Sequence, residues 1–469
     1  MNKLSKQTHS DFTSYPEKVI QFGEGNFMRA FVDWQIEKLN NQGLFGGSIA
    51  VVQPIAQGLA DMLAEQDNLY TVLLNGILDG ETIDSAEIVT CVNRVINPYS
   101  EHDEYMTLAE NDNLEFIFSN TTEAGIQYVD TDTLLDTPQA SFPGKLTALL
   151  YKRFTLGKKG FVIIPCELIN HNGEKLKETV QQCSANWNLG ADFDKWLEEE
   201  NTFCSSLVDR IVPGYPRDSA SQLHEKLGYI DNLMVKAEPF LIWVIEGPKW
   251  IEEKLPFSKA GLNVIVTDDM KPYRERKVHL LNGPHTAMMS LALLAGLETV
   301  EEVMLDADFS VFVDTLMNNE ISAVVDLPMQ ELSSYAESVK ERFKNPFVRH
   351  ELTSIALNSI SKFKSRLLPI LQNYQTKKGT LPSHVTLALA GLITFYKGDK
   401  FPLADDADVL SFFADAWKDG DTVVEKVLAN ESFWGTDLTA IPNLTDSVKT
   451  SVSLILEKGS REAIKTLLD

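Results

Sequence analysis

The feature that most constrains this chain lies near its start. The apolar run Lys18 to Phe22, KVIQF, leads straight into Gly23-Glu24-Gly25, and Phe27, Phe31, Trp34, Ile36 and Leu39 follow at helical spacing. Strand, glycine turn and helix in that order form the opening of a dinucleotide-binding unit. Two glycines let the backbone approach a pyrophosphate, whose charge then meets the free N–H groups of the helix N-terminus. Phe22, Gly23, Glu24, Gly25, Asn26 and Phe27 are therefore expected to contact the cofactor, with Arg29 one turn further on as a cation. Met28 stands where the third fingerprint glycine would be. The next strand, Ser48 to Gln53, ends in Gln53-Pro54, where an acid would hold the ribose hydroxyl of NAD. NAD is the expected cofactor, and Gln53 leaves NADP open.

Further strand-like runs are Tyr70 to Leu74, Ile88 to Val92, Phe116 to Ser119, Phe161 to Pro165, Leu241 to Ile245 and Val264 to Val266. Helical segments such as Ser141 to Phe154 and Glu174 to Asn186 alternate with them, which argues for an open α/β sheet with ligands at the strand C-termini. Three of those ends carry reactive side chains: Asn120 to Glu123, Cys166-Glu167 with Asn170 and Asn172, and Thr267 to Asp269. Beyond about residue 275 only helical patterns remain. Pro284 to Leu297, Val300 to Met317, Val348 to Asn373 and Leu444 to Leu468 are among them. The expected fold is α/β, a Rossmann-like domain over 1–275 followed by a mainly α-helical domain over 276–469. A chain of 469 residues exceeds one core of ordinary size, in keeping with two domains.

Charge narrows the choice of partners. With 42 basic and 67 acidic residues the net charge is −25, which disfavours nucleic acid and anionic membranes as general partners, so an anionic ligand needs a local basic pocket. Apolar runs such as Val385 to Tyr396 fall short of the roughly 18 residues a membrane span needs, and no secretory leader pattern opens the chain. A cytoplasmic protein is expected. The four cysteines show no metal-ligand spacing, so no metal is expected.

The chemistry is concentrated in Lys277, Asn282 and His285. An amine that can lose a proton, an amide donor and an imidazole suffice to interconvert an alcohol and a ketone. Proline is favoured at a first helical position, so Gly283-Pro284 predicts a helix beginning at about Pro284. Lys277 would then precede that helix, while its dipole would favour a neutral His285. Tyr273 and Lys277 also match the YxxxK spacing of short-chain dehydrogenases. Those enzymes are single domains of about half this length with a different glycine turn, so the match carries little.

Taken together, these residues resemble the polyol-specific long-chain dehydrogenases, the mannitol dehydrogenase family. Lys277, Asn282 and His285 stand in its K-x4-N-x2-H arrangement. The likeness runs through QFGEGNFMRAF (21–31), TTEAG (121–125), CELINHNG (166–173), FCSSLVDRIVPGYPRD (203–218), KPYRERKVHLLNGPHTA (271–287), RFKNP (342–346) and SKFKSRLLP (361–369). It implies Lys277 as general acid and base, Asn282 and His285 as holders of the reacting oxygen, and Asp209 and Lys362 as substrate contacts. Thr121, Thr122 and Glu123 would lie near the nicotinamide.

Two positions depart from the family pattern. Leu168 occupies the place of a second oxygen-binding asparagine, which leaves Asn170 or Asn172 to substitute; Ser354 occupies that of a substrate arginine. Arg366 instead joins Lys362 and Lys364 in SKFKSR and suits a two-pronged grip on a carboxylate. A keto-uronate and its aldonate are therefore the expected small-molecule partners. Within the family the wording is nearest to members that reduce keto-uronates in hexuronate breakdown. The implied reaction passes hydride from NADH to the keto carbon of tagaturonate, or of its epimer fructuronate. Two rival readings are a Schiff-base lyase using Lys277 as nucleophile and a catalytically silent dinucleotide sensor.

Overall fold

The computed structural model describes residues 1–122 and 124–468. They form two compact units, Met1–Asn75 with Thr82–Met270, and Gly76–Glu81 with Lys271–Asp469.

Six parallel strands organise the first unit: β1 (Glu17–Phe22), β2 (Ser48–Val52), β5 (Val92–Ile96), β6 (Phe116–Ser119), β7 (Val162–Pro165) and β8 (Thr202–Phe203). They lie in the order β5-β2-β1-β6-β7-β8. Counted along the chain this is the doubly wound order 3-2-1-4-5-6, whose topological switch falls between β1 and β6. Val19, Val51, Phe116 and Phe118 pack into one buried cluster, and Ile20, Val52, Ile117 and Ile163 into another. Both faces of the sheet are thus covered, which explains why its strands read as unbroken apolar runs. Two three-stranded sheets complete the strands. One is β10 (Val235–Ala237), β3 (Tyr70–Leu78) and β4 (Glu81–Val89); the other is β12 (Val264–Thr267), β11 (Ile242–Glu246) and β9 (Ser205–Asp209).

Not every expected element survives. The run Ile88 to Val92 is a junction between β4 and β5, because the Glu37 carboxylate takes the backbone N–H groups of Thr90 and Cys91, both at 2.8 Å, away from any ladder. The expected helix Val348 to Asn373 is three helices, Leu352–Ile355, Ser359–Arg366 and Leu368–Lys378, broken where Asn358 takes a left-handed φ of 50°. Gly459, with φ 90°, likewise divides Leu444 to Leu468. No helix among the described residues is long and apolar enough to cross a membrane.

The largest revision concerns Pro284. A helix does not begin there. Lys271–Arg276 is α-helical, Lys277–Asn282 is a π turn, and Gly283–Leu294 is α-helical again without a gap. In an α-helix the proline ring would clash with the carbonyl four residues back. The widened turn immediately ahead of it, bonded i to i+5, relieves that clash and lets the helix run through.

Candidate active site

The expected site residues fall into two groups, one in each unit. In the first unit the glycine turn has the required geometry. Gly23 closes β1 with φ 112°, and a Cβ there would stand 2.6 Å from the Asn120 carbonyl oxygen at the end of β6. Only glycine fits. At Gly25 a Cβ would meet nothing within 4 Å, so the backbone is open to a ligand. Asn26–Met28 then begins the helix, followed by a π turn, Arg29–Asp33, and the α-helix Trp34–Asn41. Such a turn fits a pyrophosphate.

Several neighbours serve this turn indirectly. Phe22 is fully buried between Tyr105 and Phe142, leaving only its backbone near the turn. Arg29, expected as a cation for the pyrophosphate, is turned inward. Its guanidinium donates to the Glu24 carbonyl at 3.1 Å, to Asn26 Oδ1 at 2.8 Å and to the Leu233 carbonyl. Phe27 stacks on Phe31 at 4.8 Å. Gln53 donates to the carbonyls of Ile55 and Ala56 and accepts from the Ala60 N–H, closing the loop after β2.

At the next strand ends, Glu167 is 2% exposed and accepts from the Thr121 N–H and hydroxyl, both at 3.0 Å, and from the Ser119 hydroxyl at 3.0 Å. It is the anchor of the Thr121-Thr122 loop. Thr122 has a left-handed φ of 76°, and Glu123 lies outside the described residues. Asn170 and Leu168 are exposed. Asn172, by contrast, is wholly enclosed: its amide donates to the carbonyls of Pro165, Glu167 and Ser206 and accepts from the Ser206 N–H. Both polar side-chain atoms of Asn172 are thus used within the fold. Asp209 closes β9 and is buried. His171, Glu174 and Glu246 place their ligand atoms within 4.8 Å of one another on the surface.

In the second unit the π turn decides the arrangement. One turn of i to i+5 winding sets Asn282 above Lys277, whereas α-helical winding would carry it well round the axis. His285, three residues on, follows on the next turn of the same face. Lys277, Asn282 and His285 are each half-buried. The His285 ring packs on Phe343 at 4.2 Å and edge-on to His350 at 4.9 Å, and its Nε2 is enclosed without a hydrogen-bond partner. Burial, then the neighbouring His350, Arg342 and Arg366, hold its pKa well below the usual histidine value, so the ring is neutral.

Arg366 lies beside this face, its Nη1 donating to Thr286 Oγ1 at 3.2 Å, while its backbone carbonyl accepts from His279 Nδ1 at 2.8 Å. Lys362, one turn earlier on the helix Ser359–Arg366, donates to the Ile355 carbonyl at 2.9 Å; burial and Arg366 lower its pKa. Lys364 is exposed. The structure thus gathers Lys277, Asn282, His285 and Arg366 and adds two residues that spacing did not single out as site residues, Arg342 and His350. RFKNP was the only signal for Arg342. Nothing in the sequence marked His350.

Comparison with known proteins places the chain in a family. A model of the mannitol dehydrogenase Rossmann domain matches residues 17–259, and one of the mannitol dehydrogenase C-terminal domain matches residues 269–456. The chain is 48% identical to the altronate oxidoreductase of Bacillus subtilis, over 99% of this chain and 98% of that protein. With the altronate oxidoreductase of Yersinia enterocolitica it shares 47%, covering 96% and 97%. Among solved structures, mannitol 2-dehydrogenase of Pseudomonas fluorescens, in a ternary complex with NAD and D-mannitol, matches with a TM-score of 0.70 at 23% identity over 99% of both chains. A D-sorbitol dehydrogenase matches with a TM-score of 0.84 at 20% identity over 98% of this chain and 100% of that one. The chain belongs to the mannitol dehydrogenase family and is an oxidoreductase acting on CH–OH groups.

Proposed function

We propose that the protein catalyses the reversible reduction of tagaturonate to altronate with NADH. The observation that carries this reading is the shared face of Lys277, Asn282 and His285 with Arg366 beside it, in a chain 48% identical to an altronate oxidoreductase. When bound, the nicotinamide supplies a hydride to the keto carbon. Lys277 as its ammonium gives a proton to the oxygen on which charge develops, so hydride and proton together convert the ketone to the alcohol. In the reverse direction neutral Lys277 takes that proton back. The Asn282 amide and the enclosed Nε2 of neutral His285, in its N–H tautomer, donate to the same oxygen and stabilise it as the charge builds.

Arg366, with Lys362, holds the carboxylate that distinguishes a sugar acid from a neutral polyol. Asp209 accepts from a substrate hydroxyl, and exposed Asn170 serves where the family asparagine is replaced by Leu168. Thr121, fixed by Glu167, and Thr122 shape the nicotinamide end of the first unit. Following NADH absorbance with tagaturonate and with fructuronate tests the reading. Faster turnover of tagaturonate is the expected result. Preference for fructuronate would reassign the substrate to its epimer, and a borohydride-trapped adduct on Lys277 without NADH oxidation would replace the reaction by Schiff-base chemistry.

A further inference from the structure

We propose that Glu24, the residue between the two glycines, is the acid that selects the adenosine ribose of the cofactor. This rests on the dinucleotide reading of the first unit. In such units the acid ordinarily ends the second strand. Here that place is Gln53, whose amide is committed to the Ile55, Ala56 and Ala60 backbone. The loop that follows, QPIAQG (53–58), contains neither lysine nor arginine.

Glu24 reaches this loop from the glycine turn. Its Oε1 accepts from the Leu59 N–H at 3.1 Å, and Gly58 packs so closely that a Cβ there would stand 2.2 Å from Oε1 and 2.5 Å from the Gln53 side chain. A side chain at position 58 would have to displace both groups. Glu24 is 6% exposed, yet its second oxygen, Oε2, is enclosed and has no donor. A buried carboxylate oxygen without a donor is costly, and a sugar hydroxyl is a donor of suitable size. Beside it, the open space at Gly25 leaves the backbone free for the adjoining pyrophosphate. A cofactor with a 2′-phosphate would instead bring its charge against this carboxylate; the loop holds no cation, and the guanidinium of nearby Arg29 is committed to the Glu24, Asn26 and Leu233 oxygens. Glu24 therefore both holds the hydroxyl and excludes the phosphate.

Fluorescence titration of three cofactors tests this: NADH, NADPH, and NADH lacking the 2′-hydroxyl of its adenosine ribose. The wild-type protein is expected to bind the deoxy cofactor about tenfold more weakly than NADH, and NADPH more weakly still. Glu24→Gln should weaken NADH by about the same factor, leave the deoxy cofactor within roughly twofold of wild type, and narrow the gap to NADPH. A residue that merely braced the loop would weaken all three alike. The proposal is overturned if wild-type protein binds NADH and its deoxy form equally, a comparison that needs no variant, or if Glu24→Gln weakens both equally. If wild-type protein binds none of the three, the dinucleotide reading fails as well.

Discussion

Two π turns, Arg29–Asp33 in the first unit and Lys277–Asn282 in the second, use the same backbone device for opposite ends. In the first, all five residues are buried, and the Tyr70 hydroxyl donates to Asp33 Oδ2 at 2.6 Å. Its polar atoms are turned into the fold. In the second, only Leu280 and Leu281 are buried, so the widened turn displays Lys277 and Asn282 on one face. At both turns desolvation shifts a titratable group toward its neutral form: burial pushes the Asp33 carboxyl up to about 7, and it holds the His285 ring well below the usual histidine value. A π turn therefore does not mark a site by itself. What its side chains meet decides whether it locks the fold or presents chemistry.

The sharpest way to break this contrast is at Lys277. Lys277→Ala is expected to lower kcat by about 10²–10⁴, the usual range for a general acid–base group, while substrate KM changes much less. Steady-state rates at saturating NADH decide it, and a variant keeping most of its turnover would remove Lys277 from the mechanism. Inserting one alanine after Val278 tests the turn itself. One added residue turns Lys277 away from Asn282 by roughly 100°. Activity should fall nearly as far as in Lys277→Ala, with the far-ultraviolet circular dichroism of the folded protein retained. Full activity would show that the π turn does not set the geometry.

Asp33 gives the next largest effect, on stability. Its folded-state pKa of about 7 lies above the ordinary 3.8. The favourable proton uptake is fully present below about pH 4 and is lost as pH rises to 7. The ionised carboxylate then remains buried. His285 has the opposite sign, since its depressed pKa withdraws stability as pH falls below the usual histidine value. Comparing Asp33→Asn with wild type isolates the first effect, because both proteins keep His285. The variant's advantage in urea unfolding should grow from pH 5 to pH 8, reaching roughly 1–3 kcal/mol. A difference independent of pH would mean that Asp33 stays ionised in the fold.

How much of this was legible follows from the same physics. The parallel sheet and the helical remainder could be read because strands covered on both faces leave unbroken runs such as FIFS (116–119), whereas the sequence beyond about residue 275 has only helical patterns. The break at Thr90-Cys91 could not, because it depends on Glu37, more than fifty residues away. Gly283-Pro284 was read as a helix start because proline excludes a regular α-turn, and spacing contains no sign that a π turn would let the helix continue. Within the site, Lys277, Asn282 and His285 were visible through spacing and family likeness. Asn172 and Arg29 looked like ligand contacts by residue type, and only the structure shows their polar atoms used inside the fold. His350 meets His285 through tertiary packing alone, across 65 residues of chain.

The smallest predicted effect separates two cations that stand two residues apart. Arg366 donates to Thr286 beside the displayed face and is half-buried, whereas Lys364 on the same helix is exposed. If Arg366 grips the substrate carboxylate through two parallel N–H donors, lysine in its place keeps the charge but loses the fork. Arg366→Lys should then raise KM for the keto-uronate by about tenfold, with kcat reduced much less, because the carboxylate is held equally in ground and transition states. Lys364→Ala should leave both constants within about twofold, as expected for an exposed surface charge. Equal effects from the two substitutions would point to general attraction by a basic helix instead of a defined carboxylate site. An Arg366→Lys variant with wild-type KM would move that recognition to another cation, with buried Arg342, near His285, the first to test.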